Sequence, residues 1–254
     1  MNATRTLPGR RVVLPLALVA ACGFVGVFSG LLADGLAGTI LPDRRSALFP
    51  YPWTIQNLMH LFFFAGLGEA RLHWRTASRE LAFIGQGLLP EDESTVLQAR
   101  DLPPIRRRVA SGFDEEHGFL PSLIDLCILQ FQASRSVDQT ASVLDSSLEL
   151  ISHRVDLRYT LLRYLVWLIP TIGFIGTVIG IAMALQGVDP ANPDLRQLTG
   201  ALGVSFYTTL VALVQSAILV LLMNWTQALE ERSVNAAGHY TLRNLINRLY
   251  TGTV

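Results

Sequence analysis

The stretch Pro170-Thr171-Ile172-Gly173-Phe174-Ile175-Gly176-Thr177-Val178-Ile179-Gly180 decides the fold of this chain. It lies inside an uncharged run from Tyr164 to Leu185, which as a helix is long enough to cross a bilayer. Gly173, Gly176 and Gly180 share one helical face, and the last two form a GxxxG motif. Small residues on one face let helices approach closely in lipid. We therefore predict a transmembrane helix that packs through its glycine face.

Three other uncharged runs, at 12–33, 49–68 and 202–223, are also long enough to span a bilayer. Helix is the expected form because lipid satisfies no backbone hydrogen bond. The second run is the weakest, since Asn57 and His60 lie inside it. These runs predict an all-α, polytopic membrane protein with four transmembrane helices, at 12–33, 49–68, 164–185 and 202–223.

The overall composition excludes two other classes of protein. Half of the 254 residues are hydrophobic, 16% are charged and the mean hydropathy is +0.38, unlike an ordinary soluble domain. The formal net charge is zero, so there is no basic excess for nucleic-acid binding. The two cysteines, Cys22 and Cys127, form no disulfide framework, and we expect two unpaired thiols.

The distribution of arginine predicts the orientation in the membrane. Seventeen arginines lie before the first run, between the second and third, and after the fourth, whereas three lie in the other two loops. By the positive-inside rule both termini and the segment 69–163 are cytoplasmic. The predicted domains are an N-terminal membrane hairpin (1–68), a helical cytoplasmic domain (69–163), a second membrane hairpin (164–223) and a cytoplasmic tail (224–254).

The N-terminal run has a competing interpretation. Val19-Ala20-Ala21-Cys22 resembles a lipoprotein cleavage site, which would make the run a removed signal peptide. The apolar run, however, continues past this site to Asp34, whereas a processed signal turns polar after cleavage. We therefore expect a retained helix.

A repeat of apolar residues precedes the third run. Its spacings alternate between four and three residues, as in a heptad seam, and Arg158 alone interrupts it. No Gly or Pro intervenes before Pro170, so we predict one long helix that extends from the cytoplasm into the membrane. The seam either packs on its own domain or joins copies of the subunit. Its positions are Val137, Ala141, Leu144, Leu148, Ile151, Val155, Arg158, Leu162 and Leu165.

Few residues support catalysis or metal binding. The five histidines are scattered without metal-ligand spacing, and no nucleophile, Walker or zinc-protease motif occurs. We expect the acid pairs Glu115-Glu116 and Glu230-Glu231 to be solvated surface. The chain is therefore predicted not to be an enzyme and to hold no metal or cofactor, with a membrane enzyme using His60 or Glu69 as the competing hypothesis.

Hydroxyl side chains cluster on the fourth run, in Ser205-Phe206-Tyr207-Thr208-Thr209-Leu210, and Thr177 lies on the third. Each threonine either bonds to its own helix or faces a wet path, where hydroxyls line the way for a cation without a buried charge. Neither run contains a carboxylate. If protons cross here, the titrating carboxylate belongs to another polypeptide.

Together these motifs resemble the MotA/TolQ/ExbB family of bacterial ion-driven motor subunits, in the MotA-like four-span layout. The resemblance implies a homopentamer in the bacterial inner membrane around a dimer of a single-span partner (MotB/TolR/ExbD-like) whose aspartate binds the ion, H⁺ or Na⁺. It implies an ion pathway and a helix-packing pore wall. The pathway residues are Thr177, Thr209, Thr208, Ser205 and Tyr207, and the wall residues are Pro170, Gly173, Gly176, Gly180 and Ala212.

Three positions differ from the pattern of this family. A glutamate common at the entry of the last span is replaced by Val204 or Gly200, a proline later in that span is absent near Ala217, and Ala212 stands where glycine is frequent. The first two differences support an alternative function, a membrane scaffold of the same fold that conducts nothing.

Overall fold

The computed structural model describes residues 10–31, 51–92, 94–110, 119–188 and 194–250. All regular elements in these ranges are helical, apart from an isolated parallel bridge between Leu97 and Leu249. The predicted all-α class is therefore confirmed for the described chain. The helices are α1 (Arg10–Leu31), α2 (Ile55–Ile84), α3 (Leu102–Ala110), α4 (Leu120–Ser134), α5 (Val137–Arg158), α6 (Thr160–Gln186), α7 (Leu195–Asn244) and a final 3₁₀ turn (Ile246–Arg248).

Three helical stretches of the described chain are long and apolar enough to cross a membrane. They are Arg11–Phe28, a window within Val137–Gln186 and a window within Leu198–Arg248, with mean hydropathies of 2.2, 2.1 and 2.1. These stretches overlap the first, third and fourth runs of the sequence prediction.

The second predicted span is shorter than expected because α2 begins at Ile55. Thr54 caps the helix, since its Oγ1 accepts a hydrogen bond of 3.2 Å from the backbone N–H of Asn57. The predicted start at Phe49 lies outside the described residues. From Ile55 to Gly68 a helix rises about 21 Å, less than the roughly 30 Å of a hydrocarbon core. The four-span layout therefore stays a prediction.

The chain divides into two compact units. The apolar unit contains the described chain up to Arg71 together with Thr160–Asn224, and the polar unit contains Leu72–Tyr159 together with the described chain from Trp225 onward. Each unit is thus built from two separate pieces of sequence. The assignment of one to the membrane and of the other to the cytoplasm is a prediction of the arginine pattern.

The core of the apolar unit joins α2, α6 and α7. Its fully buried members include Met59, Ile169 and Leu219. Gly66 of α2 lies against Leu219, and a Cβ at this glycine would come within 2.9 Å of both leucine methyl groups. The close approach of α2 and α7 at this level therefore depends on the missing side chain.

The helix predicted to extend from Val137 into the third span is observed as one 50-residue helical stretch, Val137–Gln186, with a single turn residue inside it. Tyr159 separates α5 from α6. Its N–H donates to the carbonyl of Asp156, three residues back, at 3.1 Å, which tightens the turn and ends α5. Tyr159 is fully buried, so its side chain is fixed within the polar unit.

The heptad seam of α5 packs on its own unit at the positions that are buried. Leu144 and Val155 are 2% and 3% exposed. Leu148 lies against Gly238 of α7, where a Cβ would come within 2.7 Å of a leucine methyl group. Packing within the domain is therefore observed at these positions, and a seam between copies of the subunit stays a prediction.

A buried arginine anchors the end of the polar unit. Arg248 donates through Nη1 to the carbonyl of Pro90 at 2.8 Å and through Nη2 to that of Glu91 at 3.0 Å. It also donates to the carbonyl of Asp92, and to Asn244 Oδ1 at 3.1 Å. This one side chain therefore ties the loop after α2 to the C-terminal end of α7.

Candidate functional site

The glycine face of α6 lies against α7. A Cβ at Gly173 would overlap Ala212 Cβ and lie 3.2 Å from the carbonyl of Thr208. A Cβ at Gly180 would overlap the Ser205 side chain. The residues predicted as pore wall thus hold two helix backbones close together, and polar side chains on α7 meet backbone groups of α6.

At this crossing three hydroxyls and two backbone carbonyls converge. We call the hydroxyls of Thr177, Thr208 and Thr209, with the carbonyls of Gly173 and Ser205, the hydroxyl cluster. Thr177 Oγ1 lies 2.9 Å from the Ser205 carbonyl and 3.2 Å from Thr208 Oγ1, and it also bonds to Thr209 Oγ1. Thr208 and Thr209 donate to the Gly173 carbonyl at 3.2 and 3.1 Å.

The hydroxyl cluster has more acceptors than protons. It contains three hydroxyl protons and five oxygens, so alternative hydrogen-bond patterns are available at the same heavy-atom positions. Thr177 also reaches the Gly173 carbonyl of its own helix at 3.2 Å, so bonding within the helix and across to α7 both occur. Thr177 and Thr208 are 8% and 5% exposed. The arrangement can reorient a chain of hydrogen bonds, or offer neutral oxygens to a small cation. In either case the protein itself carries no permanent buried charge at this crossing.

Of the predicted site residues outside the hydroxyl cluster, Gly176, Gly180 and Ala212 lie at the same helix crossing, where a Cβ at Gly176 would come within 3.3 Å of Thr208 Oγ1. Tyr207 and Pro170 do not share these contacts. Both are half-buried, and within the described residues no hydrogen bond joins either of them to the cluster. Pro170 has another effect, because a proline leaves the carbonyl four residues earlier without its helical donor. That carbonyl belongs to Val166, and Ser216 of α7 donates to it at 2.9 Å. The carbonyl that Pro170 leaves without a helical donor thus provides a second contact between α6 and α7, through Ser216.

Buried amides form a further polar region of the apolar unit. Gln215 Nε2 of α7 donates to His60 Nδ1 of α2 at 2.6 Å, and the ring of Phe24 meets His60 edge-on at 5.2 Å. The side-chain amide of Gln56 is fully buried, and neither of its polar atoms has a hydrogen-bond partner among the described residues. An unpaired buried amide costs about 1–3 kcal/mol. The sequence analysis noted His60 inside the second run but did not predict that it pairs with Gln215 of the fourth run.

The polar unit buries a charged group, which we call the Glu230 cluster. Glu230 Oε2 lies 3.2 Å from His73 Nδ1 and accepts from the hydroxyl of Tyr159 at 3.0 Å. Its Oε1 lies 3.3 Å from Nη2 of Arg158. Burial, followed by the negative charge of Glu230, raises the pKa of Tyr159. The cluster joins α2, the end of α5 and α7.

Burial of Glu230 corrects a sequence prediction. Glu230 was expected on the solvated surface, but it is 0% exposed, whereas the adjacent Glu231 is exposed. Its neighbour on α5 is Arg158, the one charged residue of the heptad seam. That interruption was the available signal, since a cation on a buried seam requires an acceptor on the facing helix. The other acid pair, Glu115-Glu116, lies outside the described residues.

A second buried carboxylate, Glu80, caps the start of α4. Its Oε2 accepts the backbone N–H groups of Phe119 and Leu120, each at 3.2 Å. Burial raises the pKa of this carboxyl to about 7, although both amides and the guanidinium of Arg79 act in the opposite direction. Glu80 is therefore a group of the polar unit that titrates near neutral pH.

Metal and thiol chemistry find little support in the ranges that the structure covers. Among the described residues, no three His, Cys, Asp or Glu side chains lie together so that they could hold a metal ion. Cys22 and Cys127 are both free, which confirms the expected unpaired thiols. Cys127 is buried, and burial raises the pKa of its thiol to about 12.

Comparison with known proteins identifies a family. The model of the MotA/TolQ/ExbB proton channel family matches residues 104–237, more than half of the chain. The matched segment includes the glycine face, the hydroxyl cluster and Glu230. Searches of curated proteins and of solved structures each returned no match.

Proposed function

The chain belongs to the MotA/TolQ/ExbB proton channel family, and on this premise we propose that it is the ion-conducting subunit of a membrane motor complex. In this proposal the flow of protons, with Na⁺ as the alternative ion, drives mechanical work on a single-span partner subunit. The chain itself catalyses no covalent reaction.

The hydroxyl cluster is the observation that carries the proposal. It places Thr177, Thr208 and Thr209 against two backbone carbonyls at the α6–α7 crossing, inside the segment that matches the family. A path lined by neutral oxygens stabilises a passing cation in a low-dielectric environment without a permanent buried charge. The unpaired amide of Gln56 adds a second buried polar group to the same unit.

The proposal requires a carboxylate from a partner. Within the apolar unit, α6 has no Asp or Glu, and neither does α7 up to Asn224. We propose that the titrating aspartate belongs to a single-span subunit, present as a dimer inside a pentamer of this chain. The complex would lie in the bacterial inner membrane with both termini of this chain cytoplasmic, and the N-terminal part of α2 would complete a fourth span.

A pair of threonine variants tests conduction. Thr177→Val removes the hydroxyl with the most oxygen neighbours, so we expect uncoupler-sensitive proton flux to fall by about tenfold or more while the complex still assembles. Thr171→Val is the matched control, because among the described residues Thr171 donates to the carbonyl of Trp167 on its own helix, at 2.9 Å, and to no group of α7. Flux is measured in vesicles that contain this chain and the single-span protein that co-purifies with it.

The result can also contradict conduction. Wild-type flux in both Thr177→Val and Thr209→Val would exclude the hydroxyl cluster from the ion path. The alternative function, a non-conducting scaffold, is favoured by the absence of the family's glutamate at Val204 or Gly200 and of its proline near Ala217. A complete complex without any uncoupler-sensitive flux would establish the scaffold.

A further inference from the structure

We propose that the N-terminal part of α2 forms a third, hydrated wall of the ion path, in which the side-chain amide of Gln56 binds water beside the hydroxyl cluster. This inference rests on the proposed conducting function and adds to it a helix and a bound ligand, water. All the groups involved belong to the apolar unit.

The first turn of α2 reaches the crossing of α6 and α7. A Cβ at Gly176 would lie 3.2 Å from the side chain of Ile55 and 3.3 Å from Oγ1 of Thr208. The isoleucine and a hydroxyl of the cluster therefore lie next to the same glycine of α6. Ile55 also packs on the buried core that contains Met59 and Ala212. These contacts hold the start of α2 at the level of the hydroxyl cluster.

Contacts farther along α2 and α7 give the register of the two helices. His60 pairs with Gln215 at 2.6 Å, and Gly66 lies against Leu219, so both helices advance in the same direction. Gln56 precedes His60 by one helical turn on the same face of α2. On α7 the hydroxyl cluster lies about two turns before Gln215. By this register, the level of Gln56 is between the hydroxyl cluster and the His60–Gln215 pair.

The buried amides of this region have polar atoms that the described protein groups do not satisfy. Gln56 is 0% exposed, and neither its amide nitrogen nor its amide oxygen has a hydrogen-bond partner among the described residues. The Nε2 of Gln215 bonds to His60, whereas its buried Oε1 has no partner within the described ranges. Because the large majority of buried side-chain polar atoms bond to protein or to water, these three atoms indicate a bound ligand.

The donors and acceptors of Gln56 favour water over other small ligands. Its amide offers N–H donors and a carbonyl acceptor in one side chain. A water molecule accepts from the nitrogen and donates to the oxygen, as buried waters commonly do with polar partners. A bare cation would pair with the oxygen alone and would face the positive end of the N–H groups. An apolar ligand would satisfy neither atom, so water is the ligand that fits both.

Water at Gln56 connects polar groups at successive levels of the apolar unit. Along the helix axes, Gln56 is about one turn from the His60–Gln215 pair and about one turn from the hydroxyl cluster. One turn is close to the combined length of two hydrogen bonds of about 2.8 Å, so one water molecule spans it. The hydroxyl cluster thus gains a hydrated neighbour, from which a cation at the neutral oxygens of the path receives further ligands.

A buried methionine of the same helix reports this water directly. Met59 is 0% exposed and follows Gln56 by three residues, so the two side chains are neighbours on α2. A brief X-ray pulse produces hydroxyl radicals from water, including bound water, and the radicals oxidise adjacent methionine to its sulfoxide. In the complex with the co-purifying single-span protein, held in vesicles, mass spectrometry should find Met59 oxidised despite its burial. In Gln56→Leu the oxidation rate should fall about fivefold or more, the occupancy lost with about one hydrogen bond.

A shorter amide separates water binding from packing. Gln56→Asn keeps both kinds of polar atom and should retain most of the oxidation at Met59. If Gln56 served packing alone, Gln56→Leu would match the wild type in its oxidation of Met59, and Gln56→Asn would be the variant that disturbs the complex by leaving a cavity. Gln186→Leu, at an exposed position near the end of α6, is the control and should leave the oxidation of Met59 unchanged.

A second measurement needs no variant and keeps the test decisive if Gln56→Leu fails to assemble. Radicals produced in the bulk solvent by peroxide photolysis reach exposed side chains, so they should leave Met59 of the wild type intact. The X-ray pulse should oxidise it, because the radicals then form at the bound water. A Met59 that survives both treatments in the wild type overturns the proposal.

Proton flux measures what the water contributes to conduction. In the same vesicles, uncoupler-sensitive flux per assembled complex should fall about fivefold or more in Gln56→Leu, stay near the wild-type value in Gln56→Asn and be unchanged in Gln186→Leu. Loss of Met59 oxidation in Gln56→Leu at normal flux would place the water outside the ion path, and the third wall would be wrong.

Failure of this site and failure of the proposed function give different results. If Thr177→Val is inactive while Gln56→Leu conducts normally, then conduction stands and the third wall is wrong. If Thr177→Val and Thr209→Val both conduct normally, then the hydroxyl-lined path itself is wrong. The oxidation of Met59 requires no flux, so it still decides whether Gln56 binds water.

Discussion

The hydroxyl cluster and the Glu230 cluster bury polar groups in opposite ways. In the apolar unit Thr177 and its neighbours are uncharged and bond mainly to backbone carbonyls and to one another. In the polar unit Glu230 contacts an imidazole, a phenol and a guanidinium. The hydroxyl cluster joins two consecutive helices, whereas the Glu230 cluster joins helices that are distant in sequence, and only the Glu230 cluster contains formal charges.

This difference follows from what surrounds each unit. A charged side chain in hydrocarbon costs several kcal/mol, so a unit built from membrane-length helices satisfies its buried groups with neutral partners. The polar unit compensates its buried charges by pairing them. The hydroxyl cluster should therefore be sensitive to side-chain volume and insensitive to pH, and the Glu230 cluster should show the reverse.

The largest effect is expected when the polar unit loses a buried charge. Arg248→Ala removes the guanidinium that donates to the carbonyls of Pro90, Glu91 and Asp92. Hydrogen bonds to charged groups contribute about 1.5–3 kcal/mol each. Because these three bonds are only part-buried and water replaces some of what is lost, we expect the free energy of opening of this unit to fall by about 4 kcal/mol, less than their sum.

The reporter for this loss is a buried thiol of the same unit. In a Cys22→Ser background, labelling of Cys127 during a urea titration measures opening of the polar unit, because this thiol is 0% exposed. Arg232→Ala, at an exposed position of α7, is the control and should change the opening free energy by less than about 0.5 kcal/mol. Equal effects of the two alanine variants would show that Arg248 anchors nothing.

The next effect is the pH dependence of the polar unit. Burial raises the pKa of Glu80 from an ordinary 4.5 to about 7, so the folded state retains a proton that the unfolded chain releases between these values. The resulting stability is complete below about pH 4.5, falls as pH rises and is lost above about pH 7. The difference in the free energy of unfolding between these two pH limits is about 3 kcal/mol.

Glu80→Gln tests this assignment, because glutamine does not titrate. The opening free energy of the variant should fall less than that of the wild type between pH 4.5 and 7. Labelling of Cys127 measures it, with rates normalised at each pH to those of the urea-denatured chain. Identical slopes in wild type and variant would mean that another group causes the pH dependence.

The smallest effect concerns volume in the apolar unit. A Cβ at Gly173 would overlap Ala212 Cβ, so Gly173→Ala should destabilise the α6–α7 contact by about 2 kcal/mol, equally at pH 5 and pH 8. At Gly23 of α1 an added Cβ meets no atom within 4 Å, so Gly23→Ala should be neutral or stabilising. Thermal unfolding in detergent measures both.

A second substitution separates the steric cause from helix propensity. Ala212→Gly removes the atom that the new Cβ would overlap, and the double variant should recover part of the lost stability. A cost that changes with pH, or no recovery, would contradict the steric account and weaken the contrast between the units.

Local sequence patterns predicted the features that depend on neighbours along one helix. Spacing placed Gly173, Gly176 and Gly180 on one face, and the uncharged runs predicted most of α1, α6 and the N-terminal part of α7. The threonines that the sequence analysis singled out on two successive runs, Thr177, Thr208 and Thr209, meet at the crossing, whereas Tyr207 does not take part. Their role as an ion path stays a prediction.

Features that depend on distant partners were not predictable. The burial of Glu230 requires His73, which lies 157 positions away, and no local pattern connects them. The single turn residue inside the long helical stretch, Tyr159, also contributes its phenol to this tertiary cluster, and no local pattern marked it. At the start of α2, the hydrogen bond between Asn57 and Thr54 caps the helix, which therefore begins at Ile55. Hydrophobicity alone placed the start of this segment earlier, at Phe49.

The discontinuity of the polar unit has a consequence for biosynthesis. Its first segment leaves the ribosome early, but Glu230, Tyr240 and Arg248 are translated only after the whole of α6 and most of α7. The backbone N–H of Leu89 donates to the Tyr240 hydroxyl at 3.1 Å. The early segment therefore lacks this partner until the late segment has been translated. The nascent chain must therefore complete its last apolar hairpin before the polar unit can close. Until the unit closes, the side chain of Glu230 stays accessible to chaperones.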